Sequence, residues 1–240
     1  MESAVEVRSL VRRFGVLTAV DNLSFTVRPG EIFGLIGPNG SGKTTTLRVV
    51  ATLLLPSSGT VEVFGHDVIR EAGAVRRLIS YLPEDAGAYK NLSGLEYLRF
   101  MATFYSGDTV ERDRLVERGM EIAGLGTRIK DRVRTYSKGM ARKLLLARAL
   151  MTAPKLAILD EPTSGLDVEN ATEVRKIIRD FARSGTTVLL SSHNMLEVEF
   201  LSDRVGIIRQ GRLIATGSPA ELKAEFRAEN LEQVFLRAAG

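Results

Sequence analysis

Cysteine is absent from the 240-residue sequence, which removes disulfides, thiolate zinc sites and cysteine nucleophiles together. Histidine occurs only at His66 and His193, too few for a metal cluster built on imidazoles. No stretch approaches the roughly eighteen consecutive apolar residues of a spanning helix. The first residues, MESAVEVRSL, show neither a basic start followed by an apolar segment nor a small-residue cleavage site. These absences predict a chain that does not itself cross a membrane and stays in the cytoplasm. There is no internal repeat and no low-complexity linker. Long single-sign charge runs are also missing: 33 basic residues stand against 29 acidic ones, for a net charge of +4. Mixed stretches such as Val110 to Arg118 read as a solvated helix face rather than a nucleic-acid surface, so no nucleic-acid partner is expected.

What is present begins with bulk. With 44% hydrophobic residues, the chain can bury one large core, or a core plus a subdomain. Within it, GPNGSGKT (Gly37 to Thr44) fits G-x-x-x-x-G-K-[S/T], and its flanks give that pattern mechanical meaning. Glu31 to Ile36 reads as a buried strand, and Lys43 onward reads as a helix that is apolar on most faces. A strand that ends in a glycine-rich turn opening a helix lets successive backbone N–H groups converge on a phosphate. Gly37, Gly40 and Gly42 permit the tight path, Lys43 adds a point charge for the outer phosphates, and the Thr44 hydroxyl suits an accompanying magnesium ion. Gly37, Pro38, Asn39, Gly40, Ser41, Gly42, Lys43, Thr44 and Thr45 are therefore candidate binders of a nucleoside triphosphate.

Period-two alternation at Val5 and Val7, at Leu23, Phe25 and Val27, and at Val61 and Val63 predicts a mostly antiparallel N-terminal layer. Later strands are short apolar runs, Leu156 to Leu159, Thr187 to Leu190 and Val205 to Ile208. Between them Val174, Ile177, Ile178 and Phe181 follow helical spacing. Alternation of strand and helix implies a largely parallel, helix-covered sheet. From about 88 to 152 no convincing strand occurs: Ser93 with Glu96 has capping-box spacing, and Asp108 and Ser137 are candidate caps of two further helices. The expected fold is α/β, a P-loop NTPase core whose mixed sheet has a parallel core and an N-terminal antiparallel β layer, with a helical insert. The core is expected over about 1–87 and 153–217, the insert over about 88–152, and a helical tail over about 218–240, all in a single domain.

The strand Leu156 to Leu159 delivers Asp160 and Glu161 to a sheet edge. In a P-loop enzyme the strand-end aspartate, here Asp160, holds the magnesium ion. Glu161, one residue further on, can accept a proton from an attacking water.

With both halves in place the chain resembles the ATP-binding-cassette ATPases, and further motifs fall in that family's order over nearly the whole length. Tyr136 to Met140 occupies the signature position, Ser164 to Asp167 looks like the D-loop, His193 like the switch histidine, Phe14 like the aromatic that stacks on adenine, and Tyr81 to Glu84 falls at the Q-loop. The resemblance implies that Ser137 and Gly139 contact the γ-phosphate of ATP bound by a second copy in a head-to-tail, ATP-dependent homodimer. It also implies catalytic roles for Glu161 and His193, and a metal site at Thr44, Glu84 and Asp160. Lys138, Met140 and Glu84 depart from the usual residues; with the short single-cassette layout they look most like ATPase subunits of ABC-2-type exporters, the group of drug-resistance and sodium-efflux ATPases. Such a subunit would work with ATP and Mg2+ on the cytoplasmic face of the membrane, through a separate transmembrane permease docking near Glu84 and Tyr89. A soluble relative acting on nucleic acid, on ribosomes or in cofactor assembly is the alternative. Taken singly, Phe14 also reads as a core aromatic at a strand end, His193 as a helix cap and Glu84 as a loop carboxylate, while His66 reads as an exposed turn residue.

Overall fold

A computed structural model describes residues 3–239. Strands β1 (Val5–Phe14) and β2 (Leu17–Val27) form an antiparallel hairpin, and β4 (Ser58–Val63) pairs antiparallel with the other edge of β1. The alternating positions Val5, Val7, Leu23, Phe25, Val27, Val61 and Val63 are all buried, because side chains two apart on a strand share a face. A two-residue strand β5 (His66–Asp67) completes this layer in the order β2-β1-β4-β5. His66 is thus not a bare turn residue: it pairs with Val63, and its Nδ1 lies 2.8 Å from Glu71 Oε1.

The second sheet has six strands in the order β10-β9-β3-β8-β7-β6. Strands β3 (Ile32–Ile36), β6 (Ile79–Leu82), β7 (Leu156–Asp160), β8 (Thr187–Ser192) and β9 (Arg204–Arg209) pair in parallel, and β10 (Arg212–Gly217) returns antiparallel on β9. Each central strand is largely apolar because both of its faces are covered, with polar side chains at the ends of β7 and β8. Phe33, Leu35, Leu156, Ile158 and Leu189 face a core shared with the antiparallel layer and with helix α1 (Lys43–Val50). There Phe25 and Phe33 stack with ring centroids 5.3 Å apart. The alternate residues Ile32, Ile36, Ala157, Leu159, Val188 and Leu190 face a second core, shared with the helices of the opposite side.

Three segments had no clear sequence signal: β6, the preceding helix α2 (Ala72–Leu78), and β10. Strand β6 reads ISYL, with a serine and a tyrosine in a four-residue run, and only its pairing with β7 identifies it.

Residues 88–152 hold α3 (Gly94–Ala102), α4 (Thr109–Ala123) and α5 (Lys138–Leu150), with two short 3-10 turns and one isolated bridge between Ser93 and Arg132. Leu98, Leu144, Leu146 and Leu150 of these helices lie in the same continuous apolar cluster as the sheet residues Ala157 and Leu159, so the helical segment is rooted in the sheet's own core. Asp108 and Ser137 cap α4 and α5 by accepting from the N–H groups of Glu111 and Met140. Helices α6 (Val168–Arg183), α7 (Met195–Leu201), α8 (Pro219–Glu225) and α9 (Leu231–Ala239) complete the chain. Among the described residues no helix is long and apolar enough to cross a membrane.

The capping box of α3 is closed at both ends, with Ser93 Oγ accepting from Glu96 N–H at 3.2 Å and Glu96 Oε2 accepting from Ser93 N–H at 2.7 Å. Ser93→Ala is expected to destabilise the protein by about 1 kcal/mol. Urea unfolding checks this, and coincident midpoints would show that the cap contributes nothing.

Candidate functional site

The site lies where β3, β7 and β8 end together. The Gly37 backbone runs so close to β9 that a Cβ there would sit 2.2 Å from the Ile208 carbonyl oxygen, and at Gly42, with φ +106°, a Cβ would meet the Ala19 carbonyl at 2.5 Å. Only glycine satisfies either position, and the loop is therefore held between the two sheets. Gly42 precedes α1 with no side-chain cap and no acidic residue in the first turn. Helices α3 to α8, by contrast, each have an N-cap side chain accepting from the backbone. Helix α2 also lacks such a cap; α1 differs in opening directly from the glycine-rich loop, so its first-turn N–H groups suit an anion. Ser41 Oγ points the same way, being buried without a protein hydrogen-bond partner among the described residues.

Lys43 is almost fully buried, with Nζ donating to the carbonyls of Gly37 (2.8 Å) and Pro38 (3.2 Å) and lying 3.8 Å from Glu161 Oε1. Burial pulls its pKa below the ordinary lysine value; the carboxylates of Glu161, Asp160 and Glu84 oppose that shift. Asp160 is buried and accepts from three hydroxyls: Thr44 Oγ1 at 3.1 Å and Ser191 Oγ at 2.5 Å on Oδ1, and Tyr81 hydroxyl at 3.3 Å on Oδ2. Burial, reinforced by the Asp160 charge, raises the Tyr81 pKa and keeps the phenol a donor.

Glu161 adopts φ +49°, a left-handed conformation costing a non-glycine residue roughly 1–3 kcal/mol. Its N–H is held by both the carbonyl oxygen (3.2 Å) and the hydroxyl (3.1 Å) of Ser191, and its Oε2 lies 2.9 Å from His193 Nδ1. The carboxylate is thereby aimed between Lys43 and an exposed histidine. His193 is not the cap of α7: Asn194 is, accepting from Glu197 N–H.

Phe14, Leu17, Ala19, Asn39, Gly40, Gly42, Lys43, Thr44, Thr45, Glu84 and Glu161 line one cleft of about 370 Å3. Phe14 stands at its apolar end, 45% exposed, with the Arg12 guanidinium 4.5 Å from its ring centroid; it is not a core aromatic. Glu84 is exposed at the acidic end, and its carbonyl accepts from Arg142 Nη2 of α5 at 3.2 Å. Ser137 and Gly139 do not line this cleft. They sit at the start of α5 against α6, where a Cβ on Gly139 would lie 2.0 Å from Asn170 Oδ1 and where the Lys138 ammonium lies against Gly165. Of the two partners of Asp160, Tyr81 is marked in the sequence only by its place in the Q-loop resemblance, and Ser191 carries no signal that assigns it to the site. Ser191 belongs because β8 runs in register beside β7, Asp160 opposite Ser191.

A triphosphate cradle, a strand-end aspartate and an adjacent aimed glutamate on a parallel sheet define a P-loop nucleoside triphosphatase. The sequence profile of the family described as "ABC transporter" matches residues 20–164. The daunorubicin resistance ATP-binding protein DrrA3 of Streptomyces coeruleorubidus is 40% identical over all of this chain and 75% of its own length. The linearmycin resistance ATP-binding protein LnrL of Bacillus subtilis is 34% identical over 96% of this chain and 74% of its own. A solved ATP-binding subunit of an ABC transporter superposes with a TM-score of 0.87 at 28% identity, covering 99% of this chain and all of that one. The chain belongs to the ABC transporter family, and it is an ATP-binding, ATP-hydrolysing subunit.

Lys43→Ala removes the buried cation that faces Glu161. Losing a charge-assisted contact of about 1.5–3 kcal/mol should weaken ATP binding by roughly ten- to a hundredfold. Calorimetric titration with ATP measures it, and unchanged affinity would show that GPNGSGKT is not the phosphate loop.

Proposed function

We propose that this chain powers export of a small molecule through a separate membrane permease, working as a head-to-tail dimer with magnesium-bound ATP at two shared sites. The observation that carries the dimer is the division of the site: Phe14, the phosphate loop and Glu161 share one cleft, while Ser137 and Gly139 lie outside it. A two-fold arrangement lets the start of α5 in one copy cover the cleft of the other, and such isologous pairing is the commonest oligomer symmetry. The relatives point to export, since their names include daunorubicin resistance, linearmycin resistance and bacitracin transport.

In this reading adenine stacks on the face of Phe14 opposite Arg12, and the phosphates lie across the first-turn N–H groups of α1 with Lys43 at the outer end. Glu161 takes a proton from water as the water oxygen bonds to the γ-phosphorus. The bond between that phosphorus and the bridging oxygen breaks, leaving ADP and phosphate. Lys43 balances the charge gathering on the phosphate oxygens, and His193 holds Glu161 Oε2 in aim. The oxygens of Thr44 and Asp160 suit magnesium, a hard cation that commonly takes one or two protein ligands beside substrate phosphates, with Glu84 as a third oxygen at the rim. Among the described residues no group of three or more histidine, cysteine, aspartate or glutamate side chains could hold a metal ion by itself. Magnesium supplies charge neutralisation on the phosphates when bound.

The permease would meet residues 88–152, which we treat as a docking unit. Tyr89, Phe100, Phe104 and Tyr105 are exposed there, with Tyr89 and Phe100 rings 5.5 Å apart and Phe100 and Phe104 5.2 Å apart, both edge to face. Aromatic clusters of this kind are enriched in protein interfaces. A permease partner would place the subunit on the cytoplasmic face of the membrane.

Glu161→Gln should keep ATP affinity and lower kcat by about 10²–10⁴-fold, so that ATP persists and holds two chains together. Size-exclusion with light scattering, in magnesium and ATP, is the check, and monomer alone would sink the dimer. Glu84→Ala is expected to raise the magnesium concentration for half-maximal ATPase with little change in ATP affinity, and Glu84→Gln to do so less. Superimposable magnesium curves would leave Glu84 a loop carboxylate.

A further inference from the structure

A buried carboxylate outside the nucleotide cleft has no part in the chemistry above. Glu197, in the first turn of α7, is 8% exposed. Its Oε2 accepts from the Thr163 hydroxyl at 2.7 Å, and its Oε1 lies 3.6 Å from Arg175 Nη1 of α6 and accepts no hydrogen bond. Burying a carboxylate this way is costly, and an apolar residue of similar volume would pack α7 without that cost. The charge therefore calls for a role beyond packing.

We propose that Glu197 is a positioning residue for ATP hydrolysis: with Arg175 it clamps Thr163 and so keeps Glu161 in its left-handed conformation. Only Pro162 separates Glu161 from Thr163, and its ring limits how far a displacement of one can be absorbed before reaching the other. A residue ahead of proline is itself pressed toward extended backbone, so Glu161 at φ +49° persists only because its surroundings impose it. Ser191 grips the N–H on one side of the strained residue, and Glu197 grips the hydroxyl on the other. Glu197 is anchored in turn, its own N–H donating to the Asn194 side chain at 3.1 Å. The short segment 191–197 thus supplies Ser191, His193 and Glu197 to the stretch 160–163. Thr163, Arg175, His193 and Glu197 line a cavity of about 220 Å3 beside Glu161. Arg175 neutralises the clamp and ties it to α6, whose cap Asp167 ends the loop that begins at Thr163.

The inference rests on Glu161 being the residue that activates water, and the experiment separates the two ideas. Steady-state ATPase and calorimetric ATP affinity are measured for Thr163→Val, Thr163→Ser, Glu197→Gln, Glu197→Ala, the Thr163→Val/Glu197→Ala double variant and Glu161→Gln. Thr163→Val preserves shape and is expected to lower kcat by about ten- to a hundredfold, with KM and ATP affinity within about twofold of wild type. Thr163→Ser, which keeps the hydroxyl, should restore the rate, and Glu197→Gln, which keeps an acceptor oxygen but loses the charge facing Arg175, should fall between. The double variant should be no slower than the slower single one, because both remove one link. Wild-type kcat in Thr163→Val, no rescue by serine, or a loss confined to KM would each overturn the clamp. A fully active Glu161→Gln would overturn the water-activating reading and the clamp with it, whereas an inactive Glu161→Gln beside an active Thr163→Val removes the clamp alone.

Discussion

The parallel pairing of β7 with β8, in the register that sets Asp160 beside Ser191, fixes the two acids at the sheet edge. Parallel strands end on a common edge, so side chains at their last positions converge although they are far apart in the chain. Ser191 uses that proximity three times: its hydroxyl donates to Asp160 while accepting from Glu161 N–H, and its carbonyl accepts from the same N–H. A slip of one residue would turn Ser191 to the opposite face of the sheet and release both the aspartate and the strained glutamate.

Charge inside this edge is balanced locally. Lys43 and Glu161 are both about 5% exposed at their side chains and 3.8 Å apart, and neither would tolerate burial alone. The lysine also spans Gly37 and Pro38 carbonyls, so loop shape and charge balance are one set of contacts. The loop binds anions through backbone groups that no side-chain substitution can remove, while Lys43 and the acidic rim set the net charge that an arriving phosphate meets.

How far the sequence carried the site depended on whether its parts were contiguous. Gly37 to Thr45 and Asp160 with Glu161 were legible because each is a local pattern, strand then loop, whose chemistry follows from residue types. Ser93, Asp108 and Ser137 were legible as caps for the same reason: a cap acts within one turn. Ser191, Glu197 and Arg175 were not, nor was the bond from Tyr81 to Asp160, since their roles come from strand order and helix packing that bring residues of distant segments together. Phe14 could be a core aromatic or a cleft wall until the hairpin placed it beside the phosphate loop. His193 alone reads as a helix cap in the sequence, whereas the bond to Glu197 N–H belongs to its neighbour Asn194. Strand β6 has no signature in the sequence because a four-residue run with two polar members has no period to read.

Gly34 lies in the middle of the buried strand β3. A Cβ there would fall 2.4 Å from Val198 Cγ1 and 2.7 Å from Ser202 Oγ, so α7 lies on the sheet at a distance set by one missing methyl group. That helix follows His193 and bears Glu197, whereas β3 leads directly into the phosphate loop. Enlarging residue 34 would lift the helix from the strand and tilt the segment that carries the histidine, while leaving every nucleotide contact chemically intact. Inherited variation at a position without a side chain could therefore retune the turnover of the whole motor, and a survey confined to residues that touch nucleotide would never find it.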